Sequence, residues 1–302
     1  MNEDNTQKTQ PEFFYKYMTA DTAEKVLKNR TLRWSAHKAL KDPMDLRVQF
    51  NFFEGDIEKA KELYLEKSWD MFSQKEEVSF NRAGCALKIL ELFKPEMTRE
   101  EFTDNFAMGF DEAYAAHQNI IRKFNEEILA VFTDCKILCL CENPLNIEMW
   151  KNYAESHSGV VMAFGNVPNI DSPYKLAEPI RYSKTIPSLF DEESLSDLMS
   201  GRIDISSTAY KERIMKAFLL TKGDAFSYEQ EWRIAPGGRE HKAAYEDIHF
   251  DKRELKKIIF GCKMSADKRD NLHKIAANLY PHVEFYEASF KEHSFEMEIH
   301  PL

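Results

Sequence analysis

Lys136-Ile137-Leu138-Cys139-Leu140-Cys141 is a short apolar run that reads as a strand in the middle of a sheet. Downstream of it, Asn146 to Glu155 reads as a short helix after Pro144. Gly159-Val160-Val161-Met162-Ala163-Phe164 follows as a second buried strand. Ser207 to Thr221 is helical, and Glu231 to Ala235 is a strand that stops at Pro236-Gly237-Gly238. Lys257-Ile258-Ile259-Phe260-Gly261 is a strand, Ala266 to Tyr280 a helix, and Val283 to Phe290 and Phe295 to His300 close the chain as strands. Strands and helices mix without strict alternation. That predicts an α+β fold with a mixed or antiparallel sheet core, not a doubly wound sheet.

Upstream, the chain opens on the aromatic strand Phe13-Phe14-Tyr15-Lys16-Tyr17. Thr19-Ala20-Asp21-Thr22 caps a helix through Leu27. In Thr31-Leu32-Arg33-Trp34-Ser35, alternation sets Leu32 and Trp34 on one face and Arg33 and Ser35 on the other. From about residue 54 to 132 the spacing turns helical, with Phe102, Phe106, Phe110, Ala113 and Tyr114 as one buried stripe. The expected organisation is a disordered leader over residues 1–11 and a single α+β domain over 12–302, with a helical insertion at about 54–132.

The 302 residues are 43% hydrophobic and 13% aromatic, enough for a substantial core. Forty-one basic against fifty-one acidic residues give a net charge of −10, which disfavours nonspecific nucleic-acid binding. No run is long and apolar enough to span a bilayer, and Met1 to Pro11 lacks the apolar core of a signal peptide. With Cys135, Cys139 and Cys141 in an apolar run, this predicts a cytoplasmic protein with reduced, buried, metal-free thiols at Cys139 and Cys141. The phosphate-cradling, nucleophile-elbow and zinc-helix motifs are all missing.

Three segments set polar residues into apolar surroundings. Glu229 and Glu231 lie two apart at a strand entry, where alternation sets both on one face with Arg233 next along it, and turns Tyr228, Trp232 and Ile234 to the core. Such a row is either a salt-bridge ladder or a carboxylate site for a sugar hydroxyl. In Trp150-Lys151-Asn152-Tyr153-Ala154-Glu155-Ser156-His157, Trp150 and Tyr153 are either core or an aromatic wall with His157 at its rim. Arg33 and Ser35, followed by the turn at Asp42-Pro43-Met44-Asp45, could meet a phosphate or ribose. Tyr15 and Tyr17 share a face of the first strand.

Together these motifs resemble a bacterial family, the domain of unknown function numbered 2971. They are Tyr15-Lys16-Tyr17, Leu32-Arg33-Trp34-Ser35, Asp42-Pro43-Met44-Asp45, Trp150-x-x-Tyr153, His157-x-Gly159-Val160, Tyr228 to Arg233 and Ile258-Ile259-Phe260-Gly261. Leu40-Lys41-Asp42-Pro43-Met44-Asp45 departs from the family's Phe-Asn-Asp-Pro-Phe-acid, leaving Asp42 and Asp45 as the polar carriers there. More distantly the chain resembles ADP-ribosyltransferases, whose Glu-x-Glu corresponds to Glu229-x-Glu231.

That resemblance implies an NAD-cleaving or ADP-ribosyl-transferring enzyme, with toxin or phage-defence proteins as its associated setting. Glu231, Glu229 and His157 would be the catalytic candidates. Tyr17, Arg33, Ser35, Trp150, Tyr153 and Arg233 would be the ligand-binding ones. NAD is the implied substrate and no metal is implied. Two other readings stand beside this one. The first is a noncatalytic module that binds a protein partner, and the second is a metal-independent nuclease using His157 with Glu229 or Glu231.

Overall fold

The computed structural model describes residues 8–40, 42, 45, 46, 51–74, 82–133, 135–203, 208–237 and 243–302. The chain opens with β1 (Phe14–Met18), α1 (Ala20–Asn29), β2 (Thr31–Ala36) and β3 (Asn51–Phe53). Three helices follow: α2 (Ile57–Ser73), α3 (Arg82–Phe93) and α4 (Arg99–Thr133). Next come β4 (Lys136–Cys141), α5 (Ile147–Tyr153), β5 (Val160–Phe164), β6 (Glu178–Pro179), β7 (Arg181–Ser183) and β8 (Ser188–Phe190). α6 (Glu192–Ser200), α7 (Thr208–Leu219), β9 (Thr221–Gly223), β10 (Glu231–Gly237) and β11 (Tyr245–His249) lead to the last elements. These are β12 (Leu255–Phe260), α8 (Ala266–Leu279), β13 (Glu284–Phe290) and β14 (Met297–Pro301).

The fold is α+β, as expected. Its contacts divide the chain into two compact units, one including Val48–Ala130 and Thr185–Phe218, the other Asn5–Arg47, Val131–Lys184 and Leu219–Leu302. The first holds the helical stretch, but not that stretch alone. α6 packs on α2, and Lys67 Nζ reaches Glu193 Oε2 and Asp197 Oδ1, both at 2.7 Å. β3 pairs with β8 in a small parallel sheet there, so not every strand of the first stretch joins the main sheet. Its core includes Met71, Phe72, Leu87, Met97 and Phe102.

The second unit is built on a ten-stranded mixed sheet, antiparallel apart from β12 beside β13. Alternation gives it two apolar faces. Phe14, Leu32, Trp34, Leu138, Leu140, Trp232 and Ile234 pack with α1 and α8 on one. Tyr17, Cys141, Val161 and Ile259 pack with α5 on the other. Residues 1–7 of the expected leader lie outside the described residues. From Lys8 the chain is tied down: Lys8 Nζ bonds Glu142 Oε1 at 2.6 Å, and Gln10 Nε2 donates to the Ala177 carbonyl at 2.8 Å.

β4 is the hub of this sheet. Glu231 and Tyr15 both pair with Cys141, and Gly237 and Ala36 both pair with Lys136. A strand has two edges, so β10 takes one edge of β4 while β1 and β2 share the other, one at each end. Between them, Leu138 to Leu140 has no strand on that edge among the described residues. The Cys139 carbonyl there accepts instead from Lys16 Nζ at 2.6 Å. The sheet forks at this point, and the fork opens a crevice. No described helix is long and apolar enough to cross a membrane.

Candidate functional site

A pocket of about 190 Å³ lies at the fork. β1 contributes Tyr15, Lys16 and Tyr17, β2 contributes Arg33 and Ser35, and β4 contributes Cys139 and Cys141. The remaining polar lining is Asp42, Asp45, Tyr153, Lys222, Glu229 and Glu231. All of these residues belong to the sheet unit.

At one side of the pocket is a buried charge cluster. Asp45, Lys222, Glu229, Glu231 and Arg233 are each at most 8% exposed. Arg233 Nε donates to Glu231 Oε1 at 2.7 Å, and an Arg233 terminal nitrogen donates to Asp45 Oδ2 at 2.5 Å. Its other terminal nitrogen donates to the Leu219 carbonyl at 2.8 Å. Lys222 Nζ donates to Glu231 Oε2 at 3.0 Å and to Glu229 Oε2, and stands 3.6 Å from Asp45 Oδ2. Tyr153 donates its phenol proton to Glu229 Oε1 at 2.6 Å. Tyr182 Oη accepts from the Glu231 backbone N–H at 2.8 Å, which fixes the start of β10.

Three carboxylates face two cations here, and the proton affinities of Glu229 and Glu231 diverge. Burial disfavours the charged form of Glu231, but Arg233 and Lys222 outweigh it and hold the carboxyl well below the usual range. Burial also dominates at Glu229, where Lys222 only partly offsets it, so this carboxyl is pushed up. Burial works against the charge of Lys222 too, yet the surrounding carboxylates raise its affinity for the proton. Burial and the neighbouring Glu229 raise the Tyr153 phenol, so it remains a donor. Two carboxyl groups sharing one ammonium thus have their proton affinities shifted in opposite directions.

The local fold differs from simple alternation at one point. Residues Asp224–Glu229 form a 3₁₀ turn and Gln230 takes a left-handed φ of 45°, so β10 begins only at Glu231. Glu229 is therefore not a strand residue. The turn, not the pleat, brings it beside Glu231. Glu231 and Arg233 do share a face of β10, with Trp232 and Ile234 in the core behind it.

Of the residues singled out from the sequence, Glu231, Glu229, Tyr17, Arg33, Ser35 and Tyr153 line this one pocket. Three do not. Arg233 lies outside the lining, 1% exposed, with all three guanidinium nitrogens bonded to protein oxygens, so it is not presented to a pyrophosphate. Trp150 is wholly buried, its indole N–H given to the Pro144 carbonyl at 2.8 Å, and Met149 takes its place in the lining. His157 stacks on Trp150 with ring centres 6.4 Å apart and also meets Phe290. His157 is thus placed with Trp150 and Phe290, not in the lining that holds Glu229 and Glu231.

Lys222, which links three carboxylates, is not among the residues the sequence singles out. Its signal was a lone charge in the apolar run Leu219-Leu220-Thr221-Lys222-Gly223. The cysteines also need a correction: Cys141 is buried, but Cys139 faces the pocket and is only partly so. All five thiols are free, and burial pushes that of Cys141 up to about 12.

Residues 149–234 match a family model described as "Protein of unknown function (DUF2971)". The resemblance carried by the motifs is thus shown over a span that includes Tyr153, Lys222, Glu229, Glu231 and Arg233. No curated protein and no solved structure matches the chain.

Proposed function

We propose that this chain is an ADP-ribosyltransferase-like or NAD-cleaving enzyme, working in the cytoplasm in a toxin or phage-defence setting. One observation carries the reading: at the fork of the sheet, Glu229 and Glu231 share Lys222 beside a tyrosine-lined pocket, with their proton affinities shifted in opposite directions. In this mechanism the bond between ribose C1′ and the nicotinamide nitrogen breaks, and its electron pair leaves with nicotinamide. Positive charge grows on the ribose ring as it does so. The fixed negative charge of Glu231 favours that state. Water or a target nucleophile adds at C1′, and its proton passes to Glu229, the carboxyl whose proton affinity burial raises. Arg33, half exposed at the rim, gives its Nε–H to Asp247 Oδ1 at 3.2 Å and keeps its terminal nitrogens for a phosphate, and Tyr17 and Tyr153 flank the ring.

The test is nicotinamide release from NAD. Glu229→Gln keeps the shape and should lower turnover by about 100-fold, the scale of a lost electrostatic group. Glu231→Gln should lower it too, but this change also strips a partner from two buried cations, so its loss has to be read beside a melting curve. Absence of nicotinamide release from NAD by the wild type would overturn the reading. The helical unit favours a second reading, a noncatalytic module for a protein partner: Leu92 and Phe93 on α3 are 78% and 80% exposed. Under that reading neither glutamate change would affect partner binding.

A further inference from the structure

We infer that Asp45, not Glu231, is the residue that reads a sugar hydroxyl in this pocket. The inference rests on reading the pocket as a nucleotide-sugar site. The cluster has three carboxylates and so six acceptor oxygens. Glu231 Oε1 takes Arg233 Nε, and Glu231 Oε2 takes Lys222 and Arg233. Glu229 Oε1 takes Tyr153 and Glu229 Oε2 takes Lys222. Asp45 Oδ2 takes Arg233, with Lys222 close by. Asp45 Oδ1 is buried and has no donor among the described residues.

An acceptor left open in low-dielectric surroundings is costly, and in a network otherwise complete it marks where an outside donor belongs. Asp45 is 4% exposed and lines the pocket, so that donor comes from a ligand. Glu231 cannot take this part, because both of its oxygens are bound to cations beneath it. The surroundings fit a sugar. Tyr15, Tyr17 and Tyr153 offer flat walls, and Arg33 at the rim suits a phosphate. The turn that carries Asp45 is closed by its own backbone N–H, which donates to the Asp42 carbonyl at 3.3 Å. The ligand class is a ribose phosphate with a free hydroxyl on the ring.

Nicotinamide mononucleotide and its 2′-deoxy and 3′-deoxy analogues test this by calorimetry on the wild-type protein, so no variant has to fold. One deoxy analogue should bind about tenfold more weakly or worse, as a hydroxyl-reading site rejects its deoxy analogue. Asp45→Ala, where it folds, should bind that analogue and the parent alike. Equal binding of all three compounds by the wild type overturns the role of Asp45. If the same wild type releases nicotinamide from NAD, the enzyme reading stands while this inference falls. Discrimination among the three without any release supports the inference and sinks the enzyme reading instead. No binding of any of the three overturns the inference.

Discussion

The Asp45–Lys222–Glu229–Glu231–Arg233 cluster and the Trp150–His157 corner each set polar groups beside aromatic rings, yet they use them differently. In the cluster, five charged side chains bond to one another next to an open pocket. In the corner, Trp150 and His157 stack and the indole N–H goes to a backbone carbonyl, and neither ring lines the pocket at the fork. The backbone at the corner is drawn unusually tight. Glu155, Ser156 and His157 all have left-handed φ values of 51–72°. The His157 carbonyl accepts from Lys263 N at 2.9 Å. A polar residue in an apolar run signals a cost that must be met, but not how it is met. Where strands part, as β1 and β2 do along β4, it is met by charges around a crevice. Where strands and links close on one another, the rings stack and the indole N–H is met, but His157 Nδ1 is left buried without a partner among the described residues.

The cluster should therefore fail through electrostatics. Arg233→Ala leaves three buried carboxylates with Lys222 alone, and removing one partner of a buried pair typically costs about 3–5 kcal/mol. Urea denaturation at neutral pH measures it. A loss below about 1 kcal/mol would mean that the cluster is wetter than its burial indicates, and the contrast between the two regions would weaken.

The corner should fail through sterics. A Cβ on Gly261 would stand 2.2 Å from the His157 carbonyl oxygen, and one on Gly159 would stand 2.3 Å from the Met18 carbonyl oxygen. Both obstacles are backbone, so neither swings aside. Gly261→Ala should cost about 1–3 kcal/mol, the usual range for overpacking, and any binding of nicotinamide mononucleotide that the wild type shows should be unchanged in the protein that remains folded. A shift in binding affinity with unchanged stability would show that the corner belongs to the site.

The sequence disclosed parts of both regions by the same criterion. Alternation in Thr31 to Ser35 placed Arg33 and Ser35 on the pocket face, and the apolar run of β4 marked it as central. Period-two counting failed at Glu229, because the 3₁₀ turn and the left-handed Gln230 precede the strand. It could not separate Glu231 from Arg233 either, since both share a face and only depth makes one a lining residue and the other its support. Lys222 stayed hidden because Thr221–Gly223 is too short for any period, and its pairing partner β7 lies about forty residues upstream. His157 and Trp150 looked like a site for the reason that Glu231 did. What distinguishes them is the forking of the sheet, a long-range fact that no local pattern carries.

The smallest expected effect tests that distinction most directly. Burial, and next the Lys263 ammonium, lower the proton affinity of His157 below the ordinary histidine value of about 6.5. A group whose folded value is depressed adds stability that is present above its unfolded value and lost as pH falls through the folded one. Stability should therefore decline from about pH 6.5 downward as the unfolded state takes up a proton that the folded state resists. His157→Phe keeps a ring to stack on Trp150 and removes the titrating group, so it should flatten this slope and shift neutral-pH stability by about 1 kcal/mol or less. Glu231 has a depressed value as well, but its contribution is lost only below the usual carboxylate range, so the two windows do not overlap. The measurement is urea unfolding at several values between pH 5 and 7.5, for wild type and variant, with nicotinamide release followed on the same samples. An unchanged slope would show that His157 is not the titrating group. A flattened slope joined to a large drop in release would return His157 to the site, and the contrast drawn between the two regions would have to be given up.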